Sequence, residues 1–192
     1  MTEPLFLDTD CFSTFLWVGY ENLILQLYAG RIGIPQQVYN ELKRVPFLKG
    51  KVDALLKVNR ITLYQISAGT DSAGLYVKMT QKPDKGYKVI GTGEAAAIAL
   101  TKEHHGILGS NNLSDILPYI RLFNLQYRTS AQIMVEALEH HLINEGQGNH
   151  APYEKECTNA SPTCAVAPSS ISRYETRQRL NQRVTQTDAS VA

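Results

Sequence analysis

The chain has 192 residues, of which 43% are hydrophobic, and its formal net charge is +1. These values argue against a fibrous or wholly disordered chain and leave room for one sizeable core. No stretch is apolar over the roughly 18 to 20 residues that a membrane span needs, the N-terminus lacks the basic start of a secretory signal, and the three cysteines are scattered. We therefore expect a cytoplasmic protein with no membrane association.

The first third of the chain alternates short apolar runs with stretches of helical periodicity. Leu5-Phe6-Leu7 predicts a buried strand, which ends at the polar residues Asp8-Thr9-Asp10. Helices at 11–18 and 21–29 precede a strand at 31–35 that closes on Pro35. Because its missing N–H is not needed there, Pro35 suits the first position of a helix at 36–43. A helix at 47–59 and a strand at 61–66 follow.

The next part of the chain continues this alternation as far as residue 143. A short helix at 73–79 and a lysine-rich loop lead to Thr92-Gly93-Glu94, where a strongly helical run to Glu103 begins with Thr92 as its predicted N-cap. A strand at 107–108, a helix at 114–123, a strand at 125–127 and an amphipathic helix at 130–143 complete the pattern.

Short strands that alternate with helices predict an α/β fold, in which a central parallel sheet lies between layers of helices. From about residue 146 the apolar periodicity stops, and Ser, Thr, Asn, Gln, Pro and Ala dominate. Such a segment cannot bury enough apolar surface to offset its conformational entropy. We therefore predict one domain over residues 1–145 and a flexible, disordered tail over residues 146–192.

Acidic residues recur where the predicted strands end or the following helices begin. They are Asp8, Glu41, Glu94 and Asp115, and Asn112 shares a helical face with Asp115. Taken singly, each has a structural explanation: Asp8, Asn112 or Asp115 as a helix cap, Glu94 as a favourable acid at a helix N-terminus, and Glu41 as a surface residue. Ligands bind beyond the carboxyl ends of parallel strands, and hard cations prefer oxygen ligands. Together the acids therefore favour a site for Mg²⁺ or Mn²⁺.

Two stretches, 43–60 and 78–88, are rich in lysine and arginine. Basic clusters of this kind attract phosphate groups, and they also occur as solvated faces of surface helices and loops. The sequence leaves both interpretations open.

The segments LFLDTDCFSTFL, IGIPQQVYNEL, GTGEAAAIAL and ILGSNNLSDI resemble, in order, the four motifs of PIN domains. Within that family they are most similar to the VapC-type ribonuclease toxins of bacterial toxin–antitoxin pairs. The resemblance covers residues 4–143 and implies a three-layer α/β/α domain that hydrolyses RNA phosphodiester bonds with Mg²⁺ or Mn²⁺. It also implies a small antitoxin partner and a homodimer.

The resemblance gives each candidate residue a role. Asp8, Glu94 and Asp115 would be the metal ligands; Glu41 would hold a second ion, a water or a basic side chain; and Asn112 would position the phosphate or a ligand. The fourth motif departs from the usual pattern, because Asn112 and the asparagine before it stand where the family often has an aspartate. The spacing from Asn112 to Asp115 fits the alternative form of that motif.

Two other functions remain open on the sequence. The asparagines of the fourth motif are compatible with a PIN-like module that binds nucleic acid or protein without catalysis. A haloacid-dehalogenase-like phosphatase also begins with a strand and Asp-x-Asp, so that Asp8 would be its nucleophile and Asp10 its proton shuttle. The lack of a Gly-Thr pair after Asp10 and of a late Gly-Asp motif argues against this phosphatase.

Overall fold

A five-stranded parallel sheet forms the centre of the protein in the computed structural model, which describes residues 3–143. The strands are β1 (Leu5–Leu7), β2 (Ile32–Pro35), β3 (Thr62–Tyr64), β4 (Ile107–Gly109) and β5 (Gln126–Arg128). They lie in the order β3-β2-β1-β4-β5, and every neighbouring pair is parallel. The predicted α/β fold with a central parallel sheet is confirmed. The predicted tail at 146–192 lies outside the described residues.

Eight helices connect or follow these strands in the same range. They are α1 (Thr9–Val18), α2 (Glu21–Leu27), α3 (Gln36–Leu42), α4 (Pro46–Lys57), α5 (Asp71–Gln81), α6 (Thr92–Glu103), α7 (Leu113–Phe123) and α8 (Ser130–Glu139). None of them combines the length and the apolar character that a membrane crossing requires.

The helices cover both faces of the sheet, as the alternation of strand side chains shows. Leu5 and Leu7 of β1 pack in one core with residues of α1 to α4 and of α8. Leu108, which lies opposite Phe6 in the register of β4, packs in a second core with residues of α5, α6 and α7. The predicted three-layer arrangement of helices, sheet and helices follows from these two cores.

Two glycines on neighbouring strands make room for the large side chains of β1. A Cβ atom at Gly33 would lie 2.6 Å from Cε1 of Phe6, and one at Gly109 would lie 2.5 Å from Cδ2 of Leu7. Both distances are shorter than van der Waals contact, so a larger residue at either position would force the Phe6 or Leu7 side chain to move. The two glycines therefore allow the close packing of the central strand, which ends just before Asp8.

The strand order places a topological switch point at the carboxyl ends of β1 and β4. The chain leaves β1 towards β2 on one side and leaves β4 towards β5 on the other, and ligands of parallel sheets bind at such a switch point. The N–H of Asp8 donates to the carbonyl oxygen of Gly109 at 2.9 Å and holds the two strand ends together.

Most predicted element ends shift by one or two residues, and three local expectations differ more clearly from the structure. Gly91 caps α6 instead of Thr92, because Glu94 reaches back to the N–H of Gly91 and Thr92 already lies in the first helical turn. Pro35 closes β2 and precedes α3, since its ψ of 146° is extended. The last helix ends at Glu139 rather than at residue 143.

A left-handed residue explains this earlier end of α8. His141 has a φ of 56°, which directs the N–H of Leu142 to the carbonyl of Ala137 and its own N–H to that of Leu138. These two hydrogen bonds form a Schellman motif, a common way for a helix to end.

Candidate functional site

Asp8 is a deeply buried acid at the carboxyl end of the central strand, with only 1% of its surface exposed. Its Oδ1 accepts a hydrogen bond from the N–H of Cys11 at 2.7 Å, so that it caps α1. Its Oδ2 is equally buried and has no hydrogen-bond partner among the described residues. Capping therefore uses one oxygen of Asp8 and leaves the second without a partner.

The pKa of the Asp8 carboxyl is raised from its usual 3.8 to about 7, mainly by burial and to a smaller extent by the negative charges of Asp10 and Glu94. The Ser110 hydroxyl and the Cys11 N–H oppose this rise. Ser110 is 1% exposed and lies beside Asp8 without a hydrogen bond of normal geometry. A buried carboxylate with this environment is unfavourable alone and becomes favourable beside a cation.

Glu94, in the first turn of α6, uses both of its carboxylate oxygens. Oε2 accepts from the N–H of Gly91 at 3.0 Å, and Oε1 accepts from Nδ2 of Asn112 at 2.7 Å. The first contact orients the side chain at the helix N-terminus, where the helix dipole favours negative charge. The second joins α6 to the segment that follows β4.

The Asn112 amide bridges two acids. Its Nδ2 donates to Glu94 and also to Oδ2 of Asp115 at 3.0 Å, while its Oδ1 accepts from the Ser114 hydroxyl at 2.9 Å. Asn112 occupies the N-cap position of α7, yet its side chain forms no capping hydrogen bond. The amide is directed to the two carboxylates instead.

Glu41 lies at the end of α3 and binds the N-terminus of α6. Its Oε1 accepts from the Thr92 hydroxyl at 2.9 Å and from the N–H of Gly93 at 3.1 Å, and its Oε2 accepts from the Thr9 hydroxyl. Among the described residues these groups, rather than a lysine or an arginine, are its hydrogen-bond partners. A Cβ atom at Gly93 would lie 2.9 Å from Oε2 of Glu41, so this contact requires a glycine.

The structure therefore brings the five predicted residues to one edge of the sheet in two contact groups. Asn112 contacts both Glu94 and Asp115, and Asp8 lies within electrostatic reach of Glu94. Glu41 contacts the residue before Glu94. Asp10, the proton shuttle of the phosphatase alternative, is exposed in the first turn of α1.

The site offers oxygen donors that suit a metal ion, although their side chains are not gathered around one position. Within residues 3–143, no three Asp, Glu, His or Cys side chains form a ready-made metal cluster. The amino group of Asn112 lies between Glu94 and Asp115 and bonds to both. The unpartnered Oδ2 of Asp8 and the neighbouring carboxylates are nevertheless the oxygen donors that Mg²⁺ and Mn²⁺ prefer.

Several residues that contact the site were not singled out from the sequence as site residues. Thr9 and Gly93 contact Glu41. Ser110 lies beside Asp8, and Lys88 lies beside Asp115. Ser110 carried a usable signal, since it lies two residues after the predicted strand at 107–108, in a place similar to that of Asp8 after the first strand. Gly93 carried a second signal, because glycine is a poor helix former and here begins a helix.

Comparisons with known proteins give likenesses of fold only. No family model matches the chain, and no curated protein matches it. Among solved structures, the chain is similar to one in "Crystal structure of VapBC2 from Rickettsia felis bound to a DNA fragment from their promoter", with 22% identity, a TM-score of 0.47, and coverage of 65% of this chain and 97% of that chain. It is also similar to one in "Structure of FitAB bound to IR36 DNA fragment", with 14% identity, a TM-score of 0.44, and coverage of 66% and 94%.

Proposed function

We propose that the chain is a divalent-metal-dependent ribonuclease that hydrolyses RNA phosphodiester bonds. The observation that carries this proposal is the buried, unpartnered Oδ2 of Asp8, at the switch point of a parallel sheet with Glu94 nearby. The choice of RNA as the substrate rests on the resemblance of the four sequence motifs to those of PIN domains.

Asp8, Glu94 and Asp115 would hold Mg²⁺ or Mn²⁺, and Asn112 would adjust the spacing of the last two. When bound, the ion supplies an activated water and neutralises charge on the scissile phosphate. In the described state the Asn112 amide reduces repulsion between the two carboxylates that it bridges. A rotation of this amide would present its oxygen in place of its NH₂ group and let the carboxylates turn inwards.

Glu41 would act as a positioning residue. Through Thr9 it contacts the start of α1 next to Asp8, and through Gly93 it contacts the start of α6 next to Glu94. One carboxylate thereby fixes the separation of the two helices that carry the proposed ligands.

Asp8→Asn and Glu94→Gln should each abolish cleavage of a labelled RNA in Mg²⁺ or Mn²⁺, because each removes a negatively charged ligand. Loss of one such group lowers rates by roughly a hundredfold or more. Glu103→Gln is the matched control, since Glu103 is exposed at the other end of α6. Gel analysis of the products measures the rates, with excess chelator as the metal-free reference. Full activity of Asp8→Asn, or activity that survives exhaustive metal removal, would contradict the proposal.

The Asn112 bridge favours one alternative function, a PIN-like module that binds nucleic acid or protein without a metal. In that case the amide would stay between Glu94 and Asp115 permanently. Calorimetric titration with Mn²⁺ separates the two functions: binding that is lost in Asp8→Asn supports the nuclease, and no binding to the wild-type chain supports the module.

The sequence resemblance also leads us to propose a small antitoxin protein as a partner and a homodimeric state. An antitoxin that covers the acidic edge of the sheet would inhibit cleavage by excluding RNA. Light scattering of the purified chain measures the oligomeric state.

A further inference from the structure

The loop between α5 and α6 carries Lys88 to the rim of the candidate site. Its Nζ lies 3.9 Å from Oδ1 of Asp115, and 77% of its side chain is exposed. An ion pair this exposed and this long contributes little to stability. The position of Lys88 therefore needs an explanation other than its attraction to Asp115.

The backbone around Lys88 is held firmly, whereas its side chain is free to move in solvent. The Tyr119 hydroxyl donates to the carbonyl oxygen of Lys88 at 2.7 Å, and the Tyr119 ring packs against Tyr87 with centroids 5.1 Å apart. Ile90 is 6% exposed, and its N–H donates to the carbonyl of Met79 at 3.2 Å. A fixed backbone beside the acids keeps the ammonium group within reach of anything bound there.

Three other lysines of the two basic stretches form ion pairs away from the site. Lys49 binds Asp53, Lys51 binds Glu21 and Lys78 binds Asp84. Among the ion pairs within residues 3–143, the one that involves an acid of the candidate site joins Lys88 to Asp115. Lys88 thus brings an ammonium group of the second basic stretch into contact with the acidic edge of the sheet.

We propose that Lys88 binds a phosphate of the substrate strand next to the scissile bond, a role that rests on the proposed nuclease function. A carboxylate cluster repels a polyanion, and an adjacent ammonium group offsets this repulsion at one phosphate. Lys88 would leave Asp115 for the phosphate, which also frees Asp115 to bind the metal. Tyr119 is the positioning residue, because it acts through the carbonyl of Lys88.

Binding of RNA is measured separately from its cleavage by using Asp8→Asn as the background in all variants. Fluorescence anisotropy with a labelled single-stranded RNA oligonucleotide gives Kd over a series of salt concentrations in Mg²⁺. Lys88→Gln should weaken binding several-fold and reduce the slope of log Kd against log salt by about 0.7, the value for one phosphate contact to a single strand. Lys88→Arg should restore both. Lys85→Gln removes the same charge from an exposed position of the same loop and should leave the slope unchanged.

Tyr119→Phe keeps the ring and removes the hydrogen bond to Lys88, so it should weaken binding with the salt slope retained. Equal slopes for Lys88→Gln and Lys85→Gln would overturn the inference, as would a Lys88→Arg variant that binds like Lys88→Gln. If the chain with Asp8 intact cleaves RNA while these slopes are equal, the inference alone fails. If it does not cleave RNA but the slope falls only in Lys88→Gln, the proposed catalysis fails and the phosphate contact stands.

Discussion

At the scale of single residues, Asp8 combines a helix cap with an unfavourable buried charge, and the two effects can be separated by one substitution. Asparagine caps helices as well as aspartate does, so Asp8→Asn keeps the bond to the Cys11 N–H and removes the charge. The pKa of about 7 in the folded chain lies above the usual 3.8, so the folded state binds the proton more tightly than the unfolded state. The carboxyl therefore destabilises the fold above pH 7, and this effect decreases as the pH falls from 7 towards 3.8.

Asp8→Asn should accordingly stabilise the metal-free protein at about pH 8 by up to roughly 4 kcal/mol, because each tenfold difference in proton affinity between the folded and unfolded states corresponds to about 1.4 kcal/mol. The gain should shrink by more than half at about pH 5, where the wild-type carboxyl is protonated in the folded state. Urea denaturation in chelator at the two pH values measures both free energies of unfolding. Parallel pH profiles for wild type and Asp8→Asn would show that this charge is not destabilising.

At the scale of secondary-structure elements, the junction of α3, α1 and α6 sets the geometry of the site through Gly93. Gly93→Ala places a Cβ atom 2.9 Å from both Oε2 of Glu41 and Oγ1 of Thr9. The ends of these side chains can move aside, and alanine favours a helix over glycine by about 1 kcal/mol, so stability should change little. RNA cleavage should nevertheless fall by roughly tenfold or more, since small displacements of catalytic groups are costly.

A matched control for this substitution is Gly74→Ala in α5, where a Cβ atom meets nothing within 4 Å. It should raise the melting temperature slightly and leave cleavage unchanged. A Gly93→Ala variant with wild-type kcat would show that the contact between Glu41 and α6 does not control the site.

The elements themselves were largely predictable, and the contacts between their ends were not. Apolar periodicity located each strand and helix, because burial imposes the same pattern on sequence and structure. The prediction of Thr92 as the N-cap of α6 was wrong. The rule expects a side-chain oxygen at the cap residue itself, whereas here Glu94, in the first turn, accepts a hydrogen bond from the N–H of the cap residue Gly91. The bonds of Glu41 to Thr9 and Gly93 join residues 32 and 52 positions apart, and no local pattern encodes such pairs.

In the candidate site, too, the types of residue could be predicted from the sequence, but the contacts between them could not. The sequence identified the acids, since Asp8, Glu94 and Asp115 lie at the end of a strand or the start of a helix and Glu41 lies in the helix after β2. It did not predict that the Asn112 amide would bridge Glu94 and Asp115, because an asparagine at that position more often caps its helix. Nor did the two basic stretches reveal which lysine reaches the acids, because that depends on local ion pairs and on the loop that Tyr119 holds.

At the scale of the whole molecule, both cores and every proposed site residue fall within residues 5–137. A chain cut after Asn149 therefore keeps all the buried apolar surface described for the sheet and its helices, and we expect it to unfold cooperatively at the melting temperature of the full chain. It should also retain its RNA cleavage rate per molecule. Calorimetry of both chains at equal concentration measures the transition, and circular dichroism checks the helix content. A truncated chain that aggregates or loses its cooperative transition would mean that residues beyond 149 contribute to the fold, and the predicted boundary between domain and tail would then be wrong.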